Sequence, residues 1–270
     1  MRGGFAMFAM VGGIVMLTTF LLVPEPHAPE VVESFPLSSQ FEMPDFAAID
    51  HPAERKAEFL AFLRPYVDQI NREITAQRQI LENARERLAA GRTLTTTEVV
   101  ALSVLAQRYK VKLVEPPSVA FVDELLRRVD ILPPSLVLAQ AASESAWGTS
   151  RFARRGNAIF GQWCYSEDCG LVPARRSDGE VHEVRRFKTV MDSVRAYFRN
   201  INTHWAYASL REMRAQLRAD EATLRGTELA AGLIRYSERR QAYVDDIRDI
   251  IRVNQLGVLD QSLLALEGSL

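Results

Sequence analysis

The stretch Ser135–Gly148 reads Ser-Leu-Val-Leu-Ala-Gln-Ala-Ala-Ser-Glu-Ser-Ala-Trp-Gly, and Glu144 is its one ionisable side chain. Pro133 and Pro134 precede it, Ser135 is a favourable N-cap, and Gly148 suits the position just past a C-terminus. The spacing therefore predicts a short buried helix. At 3.6 residues per turn, Glu144 shares a face with Val137, Gln140, Ala141 and Trp147. A carboxyl with no cationic partner on such a face resists ionisation, so its pKa rises and it keeps the proton that a general acid must donate. A helix-end Glu that simply points to water fits the same letters. The two cysteines, Cys164 and Cys169, stand close together in a loop containing Gly and Asp. In an oxidising compartment they predict a disulfide. With His182 they would make an incomplete zinc set, and no metal is expected.

Ala139-Gln140-Ala141-Ala142-Ser143-Glu144-Ser145-Ala146-Trp147-Gly148, followed by Asn157-Ala158-Ile159-Phe160-Gly161, resembles the bacterial peptidoglycan glucosaminidase family, in its Bax-type branch of Gram-negative bacteria. The resemblance spans roughly Pro116 to Leu256. It implies a lysozyme-like helical fold that cuts β-1,4 bonds of peptidoglycan glycan strands, with Glu144 in the acid position. Glycoside hydrolysis also needs a group that stabilises or attacks the oxocarbenium-like centre, usually a second carboxylate. Glu167, Asp168, Asp178, Glu180 and Glu183 lie in the irregular region that the resemblance turns toward the cleft. The acid proposed for the family falls further upstream, near Arg175 and Arg176 of this chain. That leaves Glu183, Glu180, or no second carboxylate with the substrate's own acetamido group assisting. A solvated hairpin charge is the plainer account of Glu183.

The family's Tyr-Ala-Thr-Asp-Pro-x-Tyr motif corresponds here to Tyr236-Ser237-Glu238-Arg239-Arg240-Gln241-Ala242-Tyr243, one residue longer and lacking the proline. Tyr236 then orients water or steadies the cationic sugar, or else packs at a helix end. Trp147, Phe160 and Trp163 offer flat faces to sugars, with Gln162 and His182 as polar substrate contacts. Trp163 lies in a polar loop and is the best placed for this, whereas Phe160 reads as packing. Arg151, Arg154, Arg155, Arg175 and Arg176 would attract the carboxylates of peptide stems or form a solvated face. The resemblance favours an endo-β-N-acetylglucosaminidase, with a lytic transglycosylase or muramidase as the enzyme alternative and a non-catalytic glycan-binding scaffold as the other class. No cofactor is expected.

The elements that must position these residues are mostly helical. Phe59, Leu60, Phe62 and Leu63 make a stripe that Pro65 interrupts before Val67, Ile70, Ile74, Leu81 and Leu88 resume it, predicting two helices that meet at Pro65. Gly91 ends the second, and Thr95 to Glu98 is a capping box that opens a third. Pro116-Pro117 punctuates the chain before an amphipathic helix around Phe121 to Val129. Val181, Val184 and Phe187, with turns at Gly170 and Asp178-Gly179, predict a small β-hairpin. A capping signature at Thr189 to Asp192 opens a long helix through Val190, Val194, Tyr197, Phe198, Ile201, Trp205 and Ala208, all read as core. Helices at Leu224 to Ile234 and Tyr243 to Ile251 follow.

The expected architecture is α+β and mostly helical: a lysozyme-like domain with a β-hairpin lobe over 116–270, a helical segment over 53–115 and a Pro-rich spacer over 24–52. An N-terminal membrane helix occupies 1–23, because Gly3 to Val23 carries no charge and is long enough to cross a ~30 Å hydrocarbon core. No small-x-small cleavage site follows it, which favours an uncleaved inner-membrane anchor with the bulk of the chain in the periplasm over a cleaved signal and secretion to the periplasm. With 33 basic against 34 acidic residues there is no polyanion signature, so nucleic acid is not a partner. Oligomeric state is not legible.

Overall fold

The computed structural model describes residues 43–174, 179–261 and 263. The membrane or signal segment, most of the spacer, and Arg175, Arg176 and Asp178 lie outside these. Among the described residues no helix is long and apolar enough to cross a membrane. The described part is mostly helical with one small antiparallel sheet.

Helix α1 runs unbroken from Pro52 to Ala89, about 57 Å at 1.5 Å per residue, where two helices were expected. Pro65 removes the N–H that would bond the carbonyl one turn back, which costs about 3 kcal/mol. Phe59 and Leu63 before it and Tyr66, Val67 and Ile70 after it are all buried in one core. Each is worth about 1.5–3 kcal/mol of burial, so continuity outweighs the proline. The chain before α1 is packed as well, contrary to the expectation of a spacer up to Pro52. Phe46 is fully buried in a short 3-10 turn, edge-on to Phe59 with ring centroids 5.4 Å apart.

Helix α2 (Thr96–Tyr109) opens on the capping box of Thr95 and Glu98, and α3 (Val119–Arg128) is capped by Ser118. After the short α5 (Arg151–Gly156), helix α6 (Val190–Thr203) opens on the same kind of box, formed by Thr189 and Asp192. It stops short of the predicted run. The backbone of His204 is extended and its Nδ1 accepts the Ala206 N–H at 3.2 Å, starting a 3-10 turn that leaves Trp205 67% exposed instead of in the core. Helix α7 (Ala208–Ala219) follows. The helix expected from Leu224 to Ile234 is broken into a short α8 (Gly226–Leu229) and a 3-10 turn, and α9 spans Gln241–Val253.

The expected hairpin is a three-stranded sheet, β1 (Trp163–Cys164), β2 (Gly170–Leu171) and β3 (Glu183–Arg185), with β3 central and antiparallel to both. Phe187 falls outside the strands and packs with Ala158 and Val184 in a separate small core.

Helix α4 (Pro134–Ser145), which carries Glu144, is buried over most of its length. Pro133, and not Ser135, is its N-cap, and Ser135 lies inside the first turn. The Ser135 N–H and hydroxyl both donate to Asp260 near the C-terminus, at 3.0 and 2.6 Å. The approach to α4 is tied down just as firmly. Asn71 of α1 makes a two-way amide bond with the Leu132 backbone, at 2.9 and 3.1 Å. Asp130 is 2% exposed and faces Arg78 of α1 at 3.3 Å and Arg214 and Arg218 of α7 at 3.4 and 2.9 Å. Burial, the largest single influence, pushes the Asp130 carboxyl up, but the three guanidiniums together hold it below the usual carboxylate range. This anchor of α4 carries no sequence motif.

Candidate active site

Helix α4 ends at Ser145, one residue past Glu144. Ala146, Trp147 and Gly148 then take positive φ of 51°, 57° and 78° in succession. This turn requires glycine at 148 twice over: for its φ, and because a Cβ there would lie 2.4 Å from the Phe46 ring. The turn takes Trp147 off the helical face it was expected to share with Glu144. Its half-buried ring meets Phe59 of α1 edge-on at 6.0 Å, and Lys56 Nζ of α1 lies 4.9 Å from its centroid.

Glu144 itself is half-buried. Its Oε1 accepts the Tyr243 hydroxyl at 2.7 Å, and Oε2 lies on the side of Gly161, 3.9 Å from where a Cβ on that glycine would stand. Burial raises the carboxyl above its usual pKa, and the Tyr243 hydrogen bond only partly opposes the rise. A carboxyl whose pKa is raised keeps its proton to higher pH, which is the direction that proton donation to a leaving oxygen requires.

Around it the fold closes a circuit drawn from separate elements. Tyr197 of α6 donates to Gln140 Oε1 at 2.5 Å, and Gln140 Nε2 donates to Tyr243 at 2.9 Å. Tyr243 stacks on Tyr236, centroids 5.2 Å apart and 5° from parallel, and Tyr236 donates to the Phe160 carbonyl at 3.2 Å. The Phe160 ring stacks on Tyr197 at 4.0 Å, which completes the loop. Tyr236 is thus in the cluster but touches Glu144 only through Tyr243, and Phe160 is 3% exposed and serves as packing. Burial raises the tyrosines, Tyr207 to about 12 and Tyr197, Tyr236 and Tyr243 well above the ordinary phenol value, with the charge of Glu144 adding to each, so all four stay neutral hydroxyls at physiological pH. Sequence reasoning missed Tyr243 and Tyr197 as site residues. Both fall on apolar helical stripes, where they read as core, and the one available signal was that Tyr243 ends the family's two-tyrosine motif.

The β lobe carries the remaining candidates. Trp163 is 56% exposed and stacks on His182, centroids 4.1 Å apart, a ready aromatic platform. His182 Nδ1 also lies 3.3 Å from Glu180. Both polar atoms of the Gln162 side chain are shielded from solvent with no protein partner among the described residues. Glu183 is 7% exposed and not a solvated charge; its Oε2 accepts the Gly170 N–H at 2.7 Å, stitching β3 to β2. Cys164 pairs across the ladder with Glu183 and is joined to Cys169 by a disulfide, so neither sulfur is free to bind a metal. Closing so short a loop is worth about 2 kcal/mol in chain entropy. Cys164→Ser is expected to lower the melting temperature by only a few degrees without abolishing folding, and a collapse of the whole fold on a calorimetric scan would contradict that.

A half-buried carboxyl with a raised pKa at a helix end, set among neutral tyrosines and beside Gly161, two residues before the exposed Trp163, is a site of the glycoside-hydrolase kind. The comparison with known proteins agrees: the chain belongs to the family described as mannosyl-glycoprotein endo-beta-N-acetylglucosaminidase, which matches residues 119–256. It is 35% identical over 213 residues to Protein bax of Escherichia coli (strain K12), covering 79% of this chain and 74% of that one. No solved structure matches. Membership supports a glycan-hydrolase function in general.

Proposed function

We propose that the protein is a peptidoglycan hydrolase that cleaves β-1,4 glycosidic bonds as an endo-β-N-acetylglucosaminidase, with Glu144 as general acid. The observation that carries this reading is the environment of Glu144: burial holds the proton, and no cation among the described residues faces the carboxyl to draw it off. Trp163 and His182 serve as a sugar platform in this reading. The uncharged run Gly3 to Val23 would hold the enzyme at the inner membrane, facing the periplasm.

The second group is best supplied by the substrate. Burial and the Tyr243 hydroxyl are the influences on the Glu144 carboxyl, with no second carboxylate among them, and Glu183 spends its oxygen on a backbone amide. An acetamido carbonyl of the cleaved sugar can stabilise the developing cation instead. Glu183→Gln should then keep kcat within about tenfold, because a carboxamide oxygen still accepts the Gly170 N–H. A loss of ~10³-fold, as for a missing nucleophile, would restore Glu183 to the mechanism.

Digestion of purified sacculi, with products read by mass spectrometry, tests the whole reading. Reducing N-acetylglucosamine ends are expected. Anhydro-muramyl ends would identify a lytic transglycosylase, reducing muramyl ends a muramidase, and an undigested substrate a binding scaffold.

A further inference from the structure

The direction of each hydrogen bond behind Glu144 follows from the donor inventory of its members. Gln140 is fully buried one helical turn before Glu144 and presents Oε1 to Tyr197 and Nε2 to Tyr243. A carboxamide oxygen only accepts and a carboxamide nitrogen only donates. Tyr197 must therefore donate to Gln140, and the Tyr243 oxygen must accept from it. With a lone pair of Tyr243 so engaged, its single hydrogen is left for Glu144 Oε1, at 2.7 Å. An oxygen receiving that hydrogen cannot also point its own proton down the same line.

We infer that Tyr197, Gln140 and Tyr243 form a one-way hydrogen-bond chain that reserves Oε1 of Glu144 as an acceptor and confines the transferable proton to Oε2, on the Gly161 side. The inference rests on Glu144 being the general acid. In the chemical step the Oε2–H bond breaks as the glycosidic oxygen takes the proton and keeps the electron pair of the severed C–O bond. The electron-deficient sugar carbon later takes up water, whose proton restores Glu144. Throughout, the Tyr243 hydrogen stays on Oε1, and its bond strengthens as Glu144 becomes an anion. Tyr197, Gln140 and Tyr243 are positioning residues. Sequence-distant as they are, with Tyr197 57 positions and Tyr243 103 positions from Gln140, only the fold sets the direction of the chain.

The groups that face Glu144 among the described residues are hydroxyls: Tyr243 of α9 directly, and Tyr197 of α6, Tyr207 and Tyr236 around it. A donor to the charged form lowers a carboxyl pKa, so removing it moves the alkaline limb of the pH–rate profile upward. Tyr243→Phe is expected to raise that limb by ~1 unit and to lower the plateau rate by ~10-fold, since the anion formed on Glu144 then lacks its hydrogen bond and the proton is free to sit on either oxygen. Gln140→Met and Tyr197→Phe, neither of which touches Glu144, should raise the limb in the same direction by less, and Gln140→Met should add nothing in the Tyr243→Phe background. A titration of the 13C-labelled Glu144 carboxyl by NMR reads the same pKa without catalysis. A limb and a titration that stay put in folded Tyr243→Phe protein overturn the inference. If that variant does not fold, unmoved values in Gln140→Met and Tyr197→Phe do so. Activity in Glu144→Gln would instead overturn the assignment of the acid, a separate failure.

Discussion

Glu144→Gln should yield a folded protein that digests purified sacculi at least ~10²-fold more slowly than the wild type, because the carboxamide keeps the volume and still accepts from Tyr243 but has no proton of the right acidity to give. The folded state should be no less stable, and at neutral pH more so. The sign follows from the raised pKa: the fold binds the Glu144 proton more tightly than the unfolded chain does, so the fold is penalised as pH rises from ~4.3 through the folded value. Gln removes that penalty. The two halves together form a signature: rate lost, melting temperature held or raised above pH 5. In the wild type, activity should fall on the alkaline side with an apparent pKa above ~4.3. Wild-type digestion by the variant would remove Glu144 from the mechanism, and a lost rate accompanied by a lower melting temperature at pH 7 would mean that the carboxyl is structural.

The largest expected effect on stability lies elsewhere, at Asp130. Asp130→Asn keeps the shape and the acceptor for the Ile131 N–H, 2.8 Å from Oδ1, but removes the charge that Arg78, Arg214 and Arg218 surround. Arg214 is fully buried and, although burial lowers its pKa to about 10, is charged at neutral pH, so it would face the guanidiniums of Arg78 and Arg218 without the carboxylate that stands among them. Breaking a buried pair from one side costs about 3–5 kcal/mol, which for a domain of this size lowers the melting temperature on the order of 10 °C. The carboxyl is held below its usual pKa, so its contribution is present above ~3.9 and is lost as pH falls through the lower folded value. Melting within ~2 °C of the wild type at pH 7 would show that the arginines find other partners. An α4 whose approach has lost this anchor should also place Glu144 less accurately, so catalysis should weaken before the protein unfolds.

Local signals were legible and long-range ones were not. The two capping boxes, the break at Gly91 and the lone carboxyl in an apolar helix each depend on residues a turn or two apart, and each is where the letters place it. Tyr243 and Tyr197 meet Glu144 and Gln140 across 99 and 57 positions, and a tyrosine on an apolar stripe gives no sign of which way its hydroxyl points. Trp205 shows the reverse error, since it continues the period of α6 but lies past the helix end and is exposed. Pro65 was read as a break because local cost was weighed without the burial on both sides of it. Asp130 drew no attention because three of its partners come from helices 52 residues before it and 84 and 88 after it.

The long α1 helix bears on what is inherited as a unit. The family model matches residues 119–256, the likeness to Protein bax runs over 213 residues, and α1, which ends at Ala89, lies outside the first of these. Yet Asn71 and Arg78 grip Leu132 and Asp130 from α1, and Phe59, Leu63, Val67 and Ile70 share the core of the matched region. The segment that the family model marks is therefore smaller than the segment that folds as one. A fragment beginning at 119 would expose the apolar floor under α3 and α4 and should aggregate. Shuffling of this module between proteins would have to carry a brace equivalent to α1 with it.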